Sequence, residues 1–395
     1  MFTIDKDYVI KLRREIHMYP EIDFDLPKTV ALVKRELDSM GIPYTEEYGK
    51  GSVVGYINPD KKGFTIGLRA DMDALKIEEK TNLPYSSKHE GLMHACGHDA
   101  HTAMLLGAAK ALKEIEGELN CRVKLLFQPS EEGIKSGAIM MVENGALDDV
   151  DIVSGLHVSL IETGKIGICP GAFMASSRHF KIEIFGKSAH ATAPHNGRDA
   201  IEAAFRMYNT IQLIISREVP PLEPCLCSIN KIEAGTAQNI VADHAVMLGT
   251  MRTFNMKLSE LMFDKINKAA KSLSEEMGIT IEVTGPVKSV CTYNNPYISE
   301  LMHASAAKIV GEENIIKPAQ RLGSEDFSRM AEKRPGVFFV LGVRNDEKGI
   351  NKVAHNGEFD LDEDALETGS KVFVQFVVDN QNGVDIEKAK KSDER

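Results

Sequence analysis

The nine residues Met93-His94-Ala95-Cys96-Gly97-His98-Asp99-Ala100-His101 put a thiol, several imidazoles and a carboxylate beside a glycine. Thiolate, imidazole and carboxylate are the common protein ligands of zinc and its neighbours. Cys96 and His98 lie two apart around Gly97, just ahead of a helix-forming stretch. In a turn, that spacing lets both side chains face one ion. Asp99 is placed to cap the helix that follows. A lone Cys-x-His is more often a polar loop with a satisfied histidine. Here His94, His101 and acids far away in sequence shift the balance to a metal site.

Three further groups follow apolar, strand-like runs. Asp71 and Asp73 come after the run ending near Leu68. Glu131 and Glu132 follow Arg122–Phe127 through Gln128-Pro129-Ser130, and His157 closes Asp151–Leu156. In open parallel sheets, ligands gather beyond the carboxyl ends of the strands, so these groups are expected to converge on one sheet edge. Neighbouring side chains of an extended segment point opposite ways. One carboxylate of the Glu131-Glu132 pair can therefore hold a metal while the other serves water as general base. Each group has a bland alternative: a solvated acidic turn for the glutamates, a core histidine for His157, a surface turn for His355. Each gains weight from the others, and together they read as a hydrolytic metal site cleaving an amide. His190, in the loop Gly186–His195, reads as a donor to the oxyanion of a tetrahedral intermediate. Asn239 supplies a neutral donor. Arg252 supplies a fixed fork suited to a substrate carboxylate, although taken alone it reads better as an exposed strand residue.

The elements that must position these residues form two patterns. Asp7 to about Met40 reads as helical and stops at Gly41, a C-terminal cap. Strands at Ser52–Ile57, 65–68, Arg122–Phe127 and Asp151–Val158 alternate with helices at Thr102–Ile115 and Ile139–Asn144, the signature of an α/β fold with a mainly parallel sheet. The middle changes character: strand His179–Phe185, helix Asp199–Ser216, strands Cys225–Ile232 and Ala245–Phe254, helix Leu258–Met277, strand Ile279–Val283. That β-α-β-β-α-β order is the split βαβ plan of a ferredoxin-like unit. Helix Ser299–Val310, strand Gly336–Val343 and helix Leu361–Val378 then resume the first pattern. The expected organisation is a larger domain over 1–175 and 288–395, with a smaller domain inserted at 176–287. The charged tail from Glu387 to Arg395 is expected to fray.

At 395 residues the chain is long enough for two cores. A net charge of -11 argues against nucleic acid and anionic membranes as partners. No apolar run approaches a membrane span, and the first residues lack the plan of a signal peptide. The six cysteines form no Cys-x-x-Cys, which suits a reducing cytosol.

Taken in order, Arg14–Glu21, Leu68–Leu75, Met93–His101, Phe127–Gly133, Gly155–His157, Gly186–His195, Gly235–Asp243, Gly323–Phe327 and His355-Asn356 resemble the aminoacylase-like metallopeptidase superfamily. The matching branch contains hippurate hydrolase, N-acetyldiaminopimelate deacetylase and auxin-conjugate amidohydrolases. The resemblance implies a zinc-exopeptidase-like catalytic domain with a ferredoxin-like lid that dimerises. It implies two divalent ions held by Cys96, His98, Glu132, His157 and His355, with Glu131 as general base and one of Asp71 and Asp73 orienting a ligand. His190 would polarise the carbonyl, and Asn239 and Arg252 would hold the substrate's polar end. Many members of the wider superfamily carry His-x-Asp where this chain has Asp71-Met72-Asp73, and a bridging Asp where it has Cys96–His98. A thiolate favours zinc, whereas imidazole and carboxylates also accept manganese, cobalt or nickel. The implied substrate is an N-acyl amino acid. A dipeptidase or carboxypeptidase, a deacetylase of one intermediate, and a metal-binding protein without catalysis are the alternatives.

Overall fold

The computed structural model of the chain describes residues 2–393. It divides into two compact units, Met1–Phe173 with Thr292–Ala319 and Asp326–Arg395, and Met174–Cys291 with Gln320–Glu325. The return of Gln320–Glu325 to the second unit was not foreseen from the sequence.

The first unit is built on an eight-stranded mixed sheet. Its spatial order is Tyr44–Thr45, Val53–Ile57, Arg122–Gln128, Thr65–Asp71, Ile152–Glu162, Gly336–Arg344, Ile166–Gly167 and Ile315–Ile316. The centre is parallel: Thr65–Asp71 pairs in parallel with both neighbours, and Ile152–Glu162 does so with Gly336–Arg344. Every residue of Thr65–Asp71 is buried, as expected of a strand covered on both faces. Helices His98–Glu114 and Leu366–Asn380 pack together, with Phe373, Phe376, Leu105 and Leu112 in one core with Phe127 and Phe339 of the sheet.

The second unit follows the split βαβ plan. Its five-stranded sheet orders as Cys225–Ala234, His244–Thr253, Ser177–Phe185 and Thr280–Thr284, with Val287–Ser289 also paired to Ser177–Phe185, antiparallel throughout. Helices Ala200–Glu218 and Met256–Met277 bury Met207, Ile211, Met262 and Ile266 in a core with Ile182, Ile184 and Met251. Asp199 and Asn255 cap these helices by accepting first-turn backbone N–H groups.

Several local expectations are revised. The helical pattern before Met40 is two helices, Lys6–His17 and Pro27–Met40, because Pro20 and the turn after it interrupt it; Gly41 caps the second with φ 64°. The helix after the Cys/His stretch begins at His98, four residues before the expected Thr102, so Asp99 lies in its first turn and is not its cap. Strand Ile152–Glu162 runs past His157, which therefore sits mid-strand. The charged tail forms a short helix, Ile386–Lys391, capped by Asp385 and anchored by Ala389, whose carbonyl accepts from Asn295 Nδ2 at 2.7 Å. Residues 394–395 of that tail lie outside the described residues. Among the described residues, no helix is long and apolar enough to cross a membrane.

Candidate metal centre and active site

The carboxyl edge of the parallel strands gathers the candidate residues of the first unit. Asp71 ends one strand opposite Gln128 of the next, and Asp73 follows two residues on. After Gln128 the chain turns at Ser130, which adopts φ 51°. Left-handed backbone is costly for a residue with a Cβ, and such positions cluster at functional sites. The turn is held by Ser130 Oγ, which donates to the Lys135 carbonyl at 2.7 Å. Asp73 then fixes both glutamates from below: Oδ1 accepts the Glu131 N–H at 2.9 Å, and Oδ2 accepts the Glu132 N–H at 3.0 Å. His355 occupies a second left-handed position, φ 64°, and its N–H donates to the Ala95 carbonyl at 2.8 Å. The far C-terminal part of the chain is thereby fastened beside Cys96.

The side chains converge. Cys96 Sγ lies 3.3 Å from His157 Nε2, and His355 Nε2 lies 3.0 Å from Glu132 Oε1. His98 is buried, with Nδ1 3.4 Å from Asp73 and Nε2 3.5 Å from Asp71, yet neither ring nitrogen makes a hydrogen bond. Ligand atoms of Cys96, His98 and His157 fall within 4.8 Å of one another, as do those of Cys96, Glu132 and His355, and those of His98, Glu131 and Glu132. Buried nitrogens lacking hydrogen bonds are rare and ask for an explanation. Here they belong to a ring surrounded by soft and hard donors in the mixture that transition metals accept. The residues fit divalent cations.

Hydrogen bonds assign the tautomers. His157 Nδ1 donates to the Val158 carbonyl at 2.6 Å, which leaves the Nε2 lone pair facing Cys96. His101 Nε2 accepts from the Val158 N–H at 2.9 Å, so its proton sits on Nδ1, 2.6 Å from Asp71 Oδ1. Both His101 nitrogens are thus used, and it supports the site without a free lone pair.

Electrostatics show what the donors do without a cation. Burial opposes ionisation of Asp71, but Arg69, His98 and His101 outweigh it and hold the carboxyl well below its ordinary range. Burial likewise opposes a charge on Glu132, yet the His355 hydrogen bond brings its pKa down to about 2. Burial lowers His157 to about 4, and it raises the Cys96 thiol well above its usual value with Glu132 adding to the effect. Burial alone would keep His98 neutral; the Asp71 and Asp73 carboxylates overcome it and raise its pKa well above normal. A cation at these donors would compete with protons on Cys96 and His98.

Two groups that matter here have no role in the sequence reading. Arg69 is fully buried in a β-strand and reaches Gln128, Asp71 and Asp326. Arg13 is also fully buried, and its Nε donates to Asp99 at 2.8 Å. The signal for Arg69 was a cation inside an otherwise apolar strand; Arg13 lies in an amphipathic helix and carried no such mark. His94 is buried against His17, with ring centroids 6.2 Å apart, and belongs to that neighbouring network.

His190, Asn239 and Arg252 lie in the second unit. His190 and Ile240 pair across a two-stranded ladder, and the Ala191 N–H donates to the Asn239 carbonyl at 3.0 Å. His190 Nδ1 accepts the Thr192 N–H at 3.3 Å, which places the ring proton on Nε2. Arg252 Nη1 donates to Ser324 Oγ at 2.6 Å, and burial lowers the guanidinium's pKa. Arg252 appears in no ion pair among the described residues, although the second unit carries several.

A buried thiol, imidazole and carboxylate cluster at the carboxyl edge of a parallel sheet, beside a second glutamate, defines a metal-dependent hydrolase. The chain belongs to peptidase family M20/M25/M40, whose pattern matches residues 67–379. It is 39% identical over 368 residues to an N-acetyl-L-cysteine deacetylase of Bacillus subtilis, covering 92% of this chain and 86% of the relative. It is 37% identical over 382 residues to thermostable carboxypeptidase 1 of Saccharolobus solfataricus, covering 95% and 96%. Among solved structures, a dinuclear metal binding peptidase of the M20 family from Bacillus subtilis superposes with a TM-score of 0.82 at 31% identity, covering 96% of this chain and 99% of that one.

Proposed function

We propose that this amidohydrolase cleaves the amide of N-acyl amino acids to a carboxylic acid and a free amino acid, at two divalent cations held by Cys96, His98, Glu132, His157 and His355. The observation that carries the reading is the buried His98 ring, without hydrogen bonds, among those donors and beside Glu131. Bound cations there supply Lewis acidity, which makes water acidic enough to act as a nucleophile near neutral pH. Glu131 accepts the proton of the attacking water and returns it to the leaving amine. Asp71 and Asp73 place their carboxylates beside the two His98 ring nitrogens, and Asp73 also fixes the Glu131 and Glu132 backbone. His190, with its proton on Nε2, donates to the carbonyl oxygen as charge develops. Asn239 and Arg252 take the substrate's carboxylate; among the described residues Arg252 makes no ion pair, which favours that role. Zinc suits the thiolate, and manganese, cobalt and nickel are the other candidates. The enzyme works in the cytoplasm, as cysteine usage suggests. It pairs into a homodimer through the second unit, where Phe205 is 65% exposed and Ile232 on an edge strand is 48% exposed.

The second reading, a carboxypeptidase, is favoured by the archaeal relative. One panel separates the two. Metal-stripped protein is re-supplied with zinc, manganese, cobalt or nickel in turn. Each form is given N-acetyl and N-benzoyl amino acids and dipeptides. Faster kcat/KM on the N-acyl compounds is expected, and a preference for dipeptides overturns the choice. In the best-loaded form, Glu131→Gln is expected to keep the bound metal while losing about 10²–10⁴-fold in kcat. Near-normal turnover by that variant removes Glu131 from its role.

A further inference from the structure

Asp326 lies in the Gly323–Phe327 stretch that resembles the family, and Arg69 lies in the strand Thr65–Asp71. The structure joins them. Asp326 is 1% exposed, and its carboxylate is surrounded by donors. Oδ1 accepts from Arg69 Nη2 at 3.1 Å and Gln128 Nε2 at 2.8 Å. Oδ2 accepts from Ser136 Oγ at 2.6 Å and the Ala138 N–H at 3.3 Å. The Ser136 hydroxyl oxygen meanwhile accepts the Ile139 N–H at 3.1 Å as a helix cap, so its proton is available to Asp326. The backbone N–H of this same aspartate donates to Glu131 Oε1 at 3.3 Å. Arg69 also donates through Nη1 to Asp71 Oδ2 at 2.9 Å and through Nε to Gln128 Oε1 at 2.8 Å.

We infer that Asp326 is a positioning residue for the general base: its carboxylate, gripped by Arg69, Gln128 and Ser136, fixes the backbone N–H that orients the Glu131 carboxylate. The inference rests on the proposed role of Glu131. A base must be held in one rotamer if its oxygen is to meet the attacking water without reorganisation. Glu131 is an adaptable side chain on a left-handed turn, and a backbone N–H can hold it only if that backbone is itself immobile. The ring of donors supplies the immobility. It also requires a carboxylate, because an amide offers one acceptor oxygen and turns an NH₂ toward other donors. Arg69 has a further consequence. The same guanidinium grips Asp71, whose carboxylate lies beside the His98 ring, and Asp326, whose N–H reaches Glu131. The metal ligand and the base are therefore registered to one buried cation in the sheet.

The test is a double-mutant cycle on metal-loaded enzyme with the fastest N-acyl substrate, using Asp326→Asn and Glu131→Asp. The shorter Glu131→Asp side chain withdraws its oxygens from the Asp326 N–H. Asp326→Asn is expected to lower kcat at least about 10-fold with KM within about 2-fold, and to leave the number of bound metal ions unchanged. In the Glu131→Asp background it is expected to cost less than about 2-fold, because the contact it acts through is already gone. A merely structural role would cost the same factor in both backgrounds, and that result overturns the inference. Should Asp326→Asn fail to fold, Ser136→Ala removes one donor and is expected to show the same pattern at a few-fold level. Crystals of the metal-free variants give a reading independent of turnover: a displaced or doubly placed Glu131 carboxylate supports positioning, and an unmoved one overturns it. Wild-type turnover by Glu131→Asp would instead bring down the general-base reading, and this inference with it.

Discussion

His17 lies between two carboxylates, with Nδ1 2.7 Å from Asp99 and Nε2 3.3 Å from Glu79. Burial and the nearby Arg13 work against its protonation, but Asp99 and Glu79 outweigh them and raise its pKa. Burial opposes charge on Glu79 as well; the hydrogen bonds from His17, Thr81 and the Ser87 N–H prevail and bring it from 4.5 to about 2. The sign follows from linkage. A carboxyl with a depressed folded pKa contributes stability above its unfolded value, and that contribution is lost as pH falls from about 4.5 toward 2. His17, whose folded pKa is raised, contributes in the opposite sense: fully below about 6.5 and less as pH climbs through its folded value. Urea midpoints of metal-free wild type and Glu79→Gln are therefore expected to differ most near pH 5–6 and to draw together as pH falls from about 4.5 toward 2. A gap constant over that range would show that Glu79 is not ionised in the partnership. The residue types at the site were largely legible in the sequence, because thiol, imidazole and paired acids are conspicuous. The supporting shell was not: Arg13, His17 and Asp99 acquire meaning only when two helices distant in sequence meet.

At the scale of elements, the turn Cys96-Gly97-His98 has to turn a thiol toward the cluster and start a helix within three residues. It does so with Gly97 at φ 90°, serving as the cap residue of His98–Glu114. A Cβ there would lie 2.4 Å from Val158 Cγ2 of the strand that carries His157. The two elements that carry these proposed ligands approach as closely as a missing side chain permits. Gly97→Ala is expected to destabilise the metal-free protein by about 1–3 kcal/mol through backbone strain and the clash. It should also weaken metal binding, because relief of the clash moves Cys96 away from His157. Urea denaturation together with metal titration calorimetry checks both; an unchanged midpoint and affinity would mean that the turn is slack. The hydrophobic periods gave the alternation of strands and helices, since a sheet buried on both faces is written as continuous apolar runs. They did not give the helix start at His98. Buried polar residues in its first turn break the apolar period there, and chemistry competes with patterning at a site.

At the scale of the molecule, the two patterns seen in sequence correspond to two kinds of core, one under a mixed, mostly parallel sheet and one under an antiparallel sheet with two helices. The second unit leaves apolar side chains in water: Ile201, Phe205 and Leu213 on helix Ala200–Glu218, and Leu226 and Ile232 on strand Cys225–Ala234. That strand ends its sheet, and an edge with exposed apolar side chains invites pairing with another chain. A two-fold pairing of identical edges closes the assembly after two copies and leaves no edge to propagate. The proposed homodimer is tested by Phe205→Glu combined with Ile232→Lys. Each substitution adds a charge to a position already exposed in the single chain, so the fold is expected to survive with unchanged circular dichroism. Burial of those charges in an interface is costly, and the double variant is expected to sediment as a monomer at concentrations where wild type sediments as a dimer. A wild-type protein that is monomeric at high concentration, or a double variant that still pairs, would place the contact elsewhere or remove it.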